Sequence, residues 1–169
     1  GFVALSDVHV ARDQLLSDDL TSLARGFRPT FLVLQSAFCA GLIRRSVAEA
    51  EQGLTGPDNG VFAPQVAELR ARADDFLVRW AALAADVTRG TPRELLTLRL
   101  DGSHLACQAT RLEATLAGGK GYLTSSGASR RFREAAFLPV QSPSEGQLTW
   151  ELSLLGSTES TPATARAAS

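Results

Sequence analysis

Methionine is absent from this 169-residue chain, tyrosine occurs once, and there are only two cysteines, two histidines and two tryptophans. The chain opens Gly1-Phe2-Val3-Ala4-Leu5. That opening has neither the basic leader nor the small-residue cleavage site of a signal peptide. A natural chain starts with Met unless it is processed, so the expectation is that an upstream part is missing. Charge of one sign is also lacking: 17 basic residues stand against 18 acidic ones, a net charge of −1. Such a balance gives no reason to expect nucleic acid or an anionic membrane as partner. No apolar run reaches the roughly 20 residues of a membrane span. The longest, residues 31–43, is interrupted by Gln35 and Ser36 and reads as a buried helix. Cys39 and Cys107 stand far apart and fit no metal or redox spacing. They read as reduced core cysteines of a cytoplasmic protein.

What remains is the composition of one compact domain with a core of its own. Hydrophobic residues make up 44% of the chain, and the mean hydropathy is +0.01. Alanine, leucine and arginine, all good helix formers, are abundant. Residues 3–10 alternate weakly and read as a short strand before a turn at Asp13. Pro29 is placed to open a helix that is apolar on nearly all sides and stops at Gly53. A loop over residues 55–60 follows. The second helix has the clearest period: Val66, Leu69, Ala73, Phe76, Leu77, Trp80 and Leu83 recur at three- and four-residue steps until Gly90. Asp75 lies four residues before Arg79, a favourable surface pair worth about 0.3–0.5 kcal/mol. Thr91-Pro92-Arg93-Glu94 is a capping box with proline at the first helical position. It opens a third helix striped by Leu95, Leu98, Leu105, Leu112 and Leu116. Gly102 lies on that stripe as a candidate close crossing, and Gly118-Gly119 ends the helix. Two shorter helices follow, over residues 126–138 and from Ser142-Pro143-Ser144-Glu145 to Gly156. The expected fold is all-α: an antiparallel up-and-down bundle of three long and two short helices, preceded by one strand. The expected division is residues 1–24 as strand and linker, 25–156 as the bundle and 157–169 as a flexible tail.

The segment Thr115-Leu116-Ala117-Gly118-Gly119-Lys120-Gly121-Tyr122 resembles the acyl-CoA dehydrogenase pattern Gln-x-x-Gly-Gly-x-Gly-Tyr/Phe. Arg130-Arg131-Phe132-Arg133-Glu134-Ala135, a little further on, resembles that family's Arg-x-Tyr-Arg-Asp-Ala. The resemblance spans residues 3–155. It implies the C-terminal helical domain of an FAD-dependent oxidoreductase of fatty acid metabolism, acting on the Cα–Cβ bond of an acyl-CoA. By the same resemblance, residues 3–16 are the last strand of a β-domain and the crossing out of it. FAD contacts fall on Thr115, Gly118, Gly119 and Gly121, where glycine lets backbone approach a dinucleotide closely. The bundles are expected to form the core of a homo-oligomer, a dimer or a tetramer. Read from the residues alone, the same glycines are a helix C-cap, and Arg133 beside Glu134 is an ordinary ion pair.

Three positions depart from the family. Thr115 replaces the glutamine before the glycines, and Gly53-Leu54-Thr55-Gly56-Pro57 replaces an Arg-x-x-Phe-Gly segment that reaches a neighbouring subunit's flavin. The family's usual catalytic Glu falls at Ser142, and an alternative position on the first bundle helix falls at Thr30. Serine without a partner base cannot take an α-proton at neutral pH. Glu145 is the nearest candidate base, at a position that equally suits a capping-box carboxylate. A flavin-dependent monooxygenase of the same fold needs no such base. A non-catalytic oligomerisation module needs neither base nor flavin.

Overall fold

The computed structural model describes residues 2–159. Among these residues every regular element is helical and there is no strand. Six α-helices follow one another: α1 (Leu20–Gln52), α2 (Gly56–Gly60), α3 (Ala63–Ala85), α4 (Pro92–Ala117), α5 (Gly127–Phe137) and α6 (Glu145–Glu159).

The ends of these helices follow local chemistry. Asp19 opens α1 by accepting from the Ser22 N–H at 3.1 Å. The helix therefore begins nine residues before Pro29, which stays inside it. An interior proline removes one backbone hydrogen bond and crowds the preceding turn. Here the segment is held from outside, because Arg28 donates to both carboxylate oxygens of Glu151 on α6 at 2.7 Å. The expected boundary between residues 24 and 25 consequently falls within α1. The capping box of α4 forms as its sequence predicts: Glu94 N–H donates to Thr91 Oγ1 at 3.2 Å, and Thr91 N–H to Glu94 Oε2 at 2.8 Å. The box expected at Ser142 and Glu145 does not form. Ser144 instead accepts from the Gln147 N–H at 3.3 Å, and Glu145 is the first residue of α6. That helix also continues past Gly156 to Glu159. The remainder of the expected tail, residues 160–169, lies outside the described residues.

Residues 3–10 form no strand. A strand draws its stability from a hydrogen-bonded neighbour, and no described segment pairs with this one. Val3, Leu5, Val8 and Val10 are exposed.

α4 is the central helix, packed against α1, α3, α5 and α6. Its apolar stripe meets Cys39, Ile43 and Val47 of α1, Val66, Leu69 and Phe76 of α3, and Ala135 of α5 in one core. A second, smaller core joins Leu32 and Val33 of α1, Leu95 and Leu96 of α4, and Leu148 of α6. Several contacts fix how the helices lie. The C-terminal end of α1 meets that of α4 where Asn59 donates to both the Gly53 and Leu116 carbonyls, at 2.8 and 3.0 Å. Leu83 near the end of α3 and Leu95 near the start of α4 both crowd Gly90. Trp80 on α3 donates to the Val33 carbonyl at 3.3 Å, while Arg70 at the other end of α3 pairs with Glu51. By length and composition α1 is apolar enough to cross a membrane, with a mean hydropathy of 1.3 over its most apolar window, and half of that window is buried inside the protein.

Gly102 marks a close crossing of α4 with α1 and α3. A Cβ there would stand 2.8 Å from Phe76 Cζ and 3.0 Å from Cys39 Cβ, and both neighbours are fully buried. Gly26, on an exposed part of α1, has nothing within 4 Å of the same position. Gly26→Ala is expected to stabilise the fold by about 0.5–1 kcal/mol through helix propensity. Gly102→Ala is expected to destabilise it, because overpacking costs about 1–3 kcal/mol and outweighs that gain. Urea unfolding of the two variants should give shifts of opposite sign.

Candidate functional site

The glycine segment lies where α4 ends. Gly118 is the C-cap of α4, with φ 58° and ψ −149°, and its N–H donates to the Thr115 carbonyl. That backbone conformation belongs to glycine. A Cβ at Gly118 or Gly119 would meet nothing within 4 Å, so both face open space. Gly121 is turned the other way: it is buried, and a Cβ there would stand 2.9 Å from Ala117 Cβ and 3.0 Å from the Ala114 carbonyl oxygen. It lets the 3-10 turn Gly118–Tyr122 fold back onto α4. Thr115 spends its hydroxyl hydrogen on the Arg111 carbonyl at 2.9 Å. Ser126 then starts α5, donating to the Gly121 carbonyl at 3.0 Å and accepting from the Ser129 N–H at 3.0 Å.

A groove of about 420 Å³ runs beside this turn between α1, the end of α4 and the start of α5. Small residues, Gly53, Ala117, Gly127 and Ala128, leave its walls low. Its charges are already matched. Arg45 pairs with Glu49, and Arg131 pairs with Glu113 through two hydrogen bonds, one of them Nε to Oε2 at 3.0 Å. Glu113 keeps only 4% of its side chain exposed, and its hydrogen bonds hold the Arg131 guanidinium above its ordinary pKa. With both of its arginines paired, the groove offers no unpaired cation to a phosphate-bearing ligand.

The arginine segment is distributed differently from the sequence reading. Arg133 donates to Ser129 at 2.6 Å, Glu134 pairs with Arg130 at 3.5 Å, and Arg131 crosses to α4. The expected Arg133–Glu134 partnership is thus absent among these contacts. The signal for the Arg131 pair was present in the sequence: Glu113 follows Ala109 by four residues and so lies on the apolar stripe of α4, where a carboxylate needs a partner.

The candidate bases lie elsewhere. Ser142 lies in the connection from α5 to α6, and Glu145 is the first residue of α6. The Ser142 carbonyl accepts from Gln35 Nε2 at 2.7 Å, and its side chain is exposed. Glu145 stands 3.0 Å from His104 Nε2 on α4. From His104 to Gly118 is fourteen residues of α4, about 21 Å at a rise of about 1.5 Å each. One copy of the chain therefore does not bring Glu145 to the open glycines. Thr30 is exposed on α1. Among the described residues no group of three or more His, Cys, Asp or Glu could hold a metal ion. Both cysteines are free thiols, with Cys39 buried and Cys107 half-buried.

No protein-family model matches the chain, and no curated protein matches it.

Glu113→Gln tests how the corner is held. It leaves a nearly buried Arg131 without its counter-charge, which should cost about 3–5 kcal/mol. Thermal and urea denaturation should both report that loss. Arg130→Gln, at an exposed pair, should change stability by about 0.5 kcal/mol or less.

Proposed function

We propose that this chain is the helical-bundle part of an acyl-CoA dehydrogenase-like flavoprotein, contributing backbone contacts to FAD and the core of a homo-oligomer. The observation that carries the reading is the outward-facing pair Gly118 and Gly119, at the end of a long buried helix and beside a polar groove. In this reading Gly118 and Gly119 hold the cofactor, Gly121 supplies the fold-back that presents them, and Thr115 stands at the edge of the site. The bundle is of the up-and-down type, with α5 and α6 together forming the last descending column beside α1, α3 and α4. Bound FAD would supply the hydride acceptor for an acyl thioester. The residues of this chain would hold it through the open backbone of Gly118 and Gly119 and the groove beside them.

The distance of about 21 Å between the Glu145 and Gly118 regions fits a flavin shared between copies, one copy giving glycine backbone and another the α5–α6 connection. The surface of α1 favours such pairing. Leu20, Leu23, Phe27, Phe31, Leu34 and Phe38 recur at three- and four-residue steps and are all exposed. An apolar stripe of that spacing is suited to a second helix.

The second reading is a flavin-dependent monooxygenase of the same fold. It is favoured by the α5–α6 connection, where Ser142 carries no carboxylate and Glu145 is engaged by His104. Oxygen activation by reduced flavin needs no α-proton abstraction. If no flavin binds at all, the bundle serves as an oligomerisation module.

FAD titration separates these readings. Gly119→Asp should leave the fold intact, since nothing lies within 4 Å of the new side chain's first carbon, and should weaken FAD binding at least about tenfold through steric and charge repulsion. Unchanged FAD quenching in the variant, or no quenching by the parent protein, contradicts the assignment. Anaerobic bleaching of bound flavin by an acyl-CoA selects the dehydrogenase, and oxygen uptake with reduced flavin selects the monooxygenase.

A further inference from the structure

Arg99 is completely buried at the centre of the protein, and no carboxylate pairs with it among the described residues. Its Nη2 donates to the Leu138 carbonyl at 2.9 Å and reaches Gln141 Oε1 only at 3.4 Å. Its Nε and Nη1 have no partner. A guanidinium keeps its charge in a protein and carries five donors in a fixed fork. Burying it without a counter-charge is strongly unfavourable. Cys39 does not supply one, since burial pushes its thiol up to about 11 and keeps it neutral at neutral pH.

Leu138 and Gln141, the two acceptors of Arg99, also line a groove of about 540 Å³. Phe38 and Leu42 of α1 and Phe137 and Glu134 of α5 line the rest of it, with Glu134 engaged by Arg130. Arg99 does not itself line the groove, but the Gln141 side chain that does is tied to this cation by one long hydrogen bond.

We propose that this groove binds an apolar-tailed carboxylate, whose chain lies along Phe38, Leu42 and Phe137 and whose carboxylate displaces the Gln141 amide to pair with Arg99. The carboxylate provides the negative charge that Arg99 lacks, on two oxygens whose spacing matches the guanidinium fork. The apolar walls bury the chain. This site uses none of the residues assigned to FAD, and shares only Phe38 with the α1 stripe assigned to pairing of copies.

The test is a calorimetric and NMR titration of the full chain with decanoate, and with decanol as the neutral analogue. Decanoate should bind saturably below the concentration at which it self-associates, shifting signals of Phe38, Phe137 and Gln141. Decanol should bind at least about tenfold more weakly, the loss expected for a charge-assisted hydrogen bond to a buried group. Arg99→Met removes the Leu138 contact as well, so Gln141→Glu is the decisive variant. It places a carboxylate beside Arg99 within the chain. It should raise the Tm, leave circular dichroism unchanged and abolish decanoate binding. Absence of saturable binding, equal affinity for decanol, or undiminished decanoate binding in Gln141→Glu would each overturn the proposal. The first of these results would mean that water alone satisfies Arg99.

Discussion

α4 is covered by four other helices, and this one constraint governs the polar interior. Glu94 and Arg111 of this helix still reach solvent, but the polar residues on its covered faces cannot. Arg99, Glu113, Ser103 and Thr110 are all buried on it. Such groups look for partners from another element or from their own backbone, and the Ser103 hydroxyl finds none. Thr110 turns back to the Ala106 carbonyl at 2.9 Å. Glu113 draws in Arg131 and so fixes α5 against α4. Arg99 draws in the Leu138 carbonyl and, more loosely, Gln141, and so holds the connection that leads into α6. These two charged residues stand about half the length of the helix apart, one holding α5 and the other the connection that follows it.

The candidate sites are consequences of that arrangement. The glycine turn is presented to solvent because Gly121 folds back onto α4 while Ser126 and Arg131 anchor the helix that follows. The α5–α6 connection is pinned from two sides, by Arg99 on α4 and by Gln35 on α1. These two regions lie at different heights along α4. Any chemistry requiring both therefore needs either a second copy of the chain or a ligand long enough to bridge them.

Local signals in the sequence were legible where the partner lies within one helical turn. The Thr91–Glu94 capping box formed as written, because both of its hydrogen bonds close within three residues. The apolar stripes of α3 and α4 marked their buried faces for the same reason. Errors arose where a distant residue competes with a local motif. Pro29 looks like a helix start, yet Asp19 caps earlier and Arg28 is tied to Glu151 across the molecule. Ser142 looks like a cap, yet its carbonyl is held by Gln35 and Ser144 takes the role. The glycine motif was visible as a group, but its division into two outward residues and one packed residue depends on contacts with Ala114 and Ala117.

The sequence by itself determined that the chain is helical, where most helices stop and which faces are apolar, since these depend on period and on neighbours a few residues away. It also contained Arg99 and Glu113 at buried register positions, without indicating what would meet them. Only the tertiary structure decided that Glu113 is matched by Arg131, that Arg99 is left without a counter-charge, and which glycines are open. Those outcomes depend on which side chains from other helices arrive within about 3 Å, and hydrogen bonding at that range is set by packing, not by spacing along the chain.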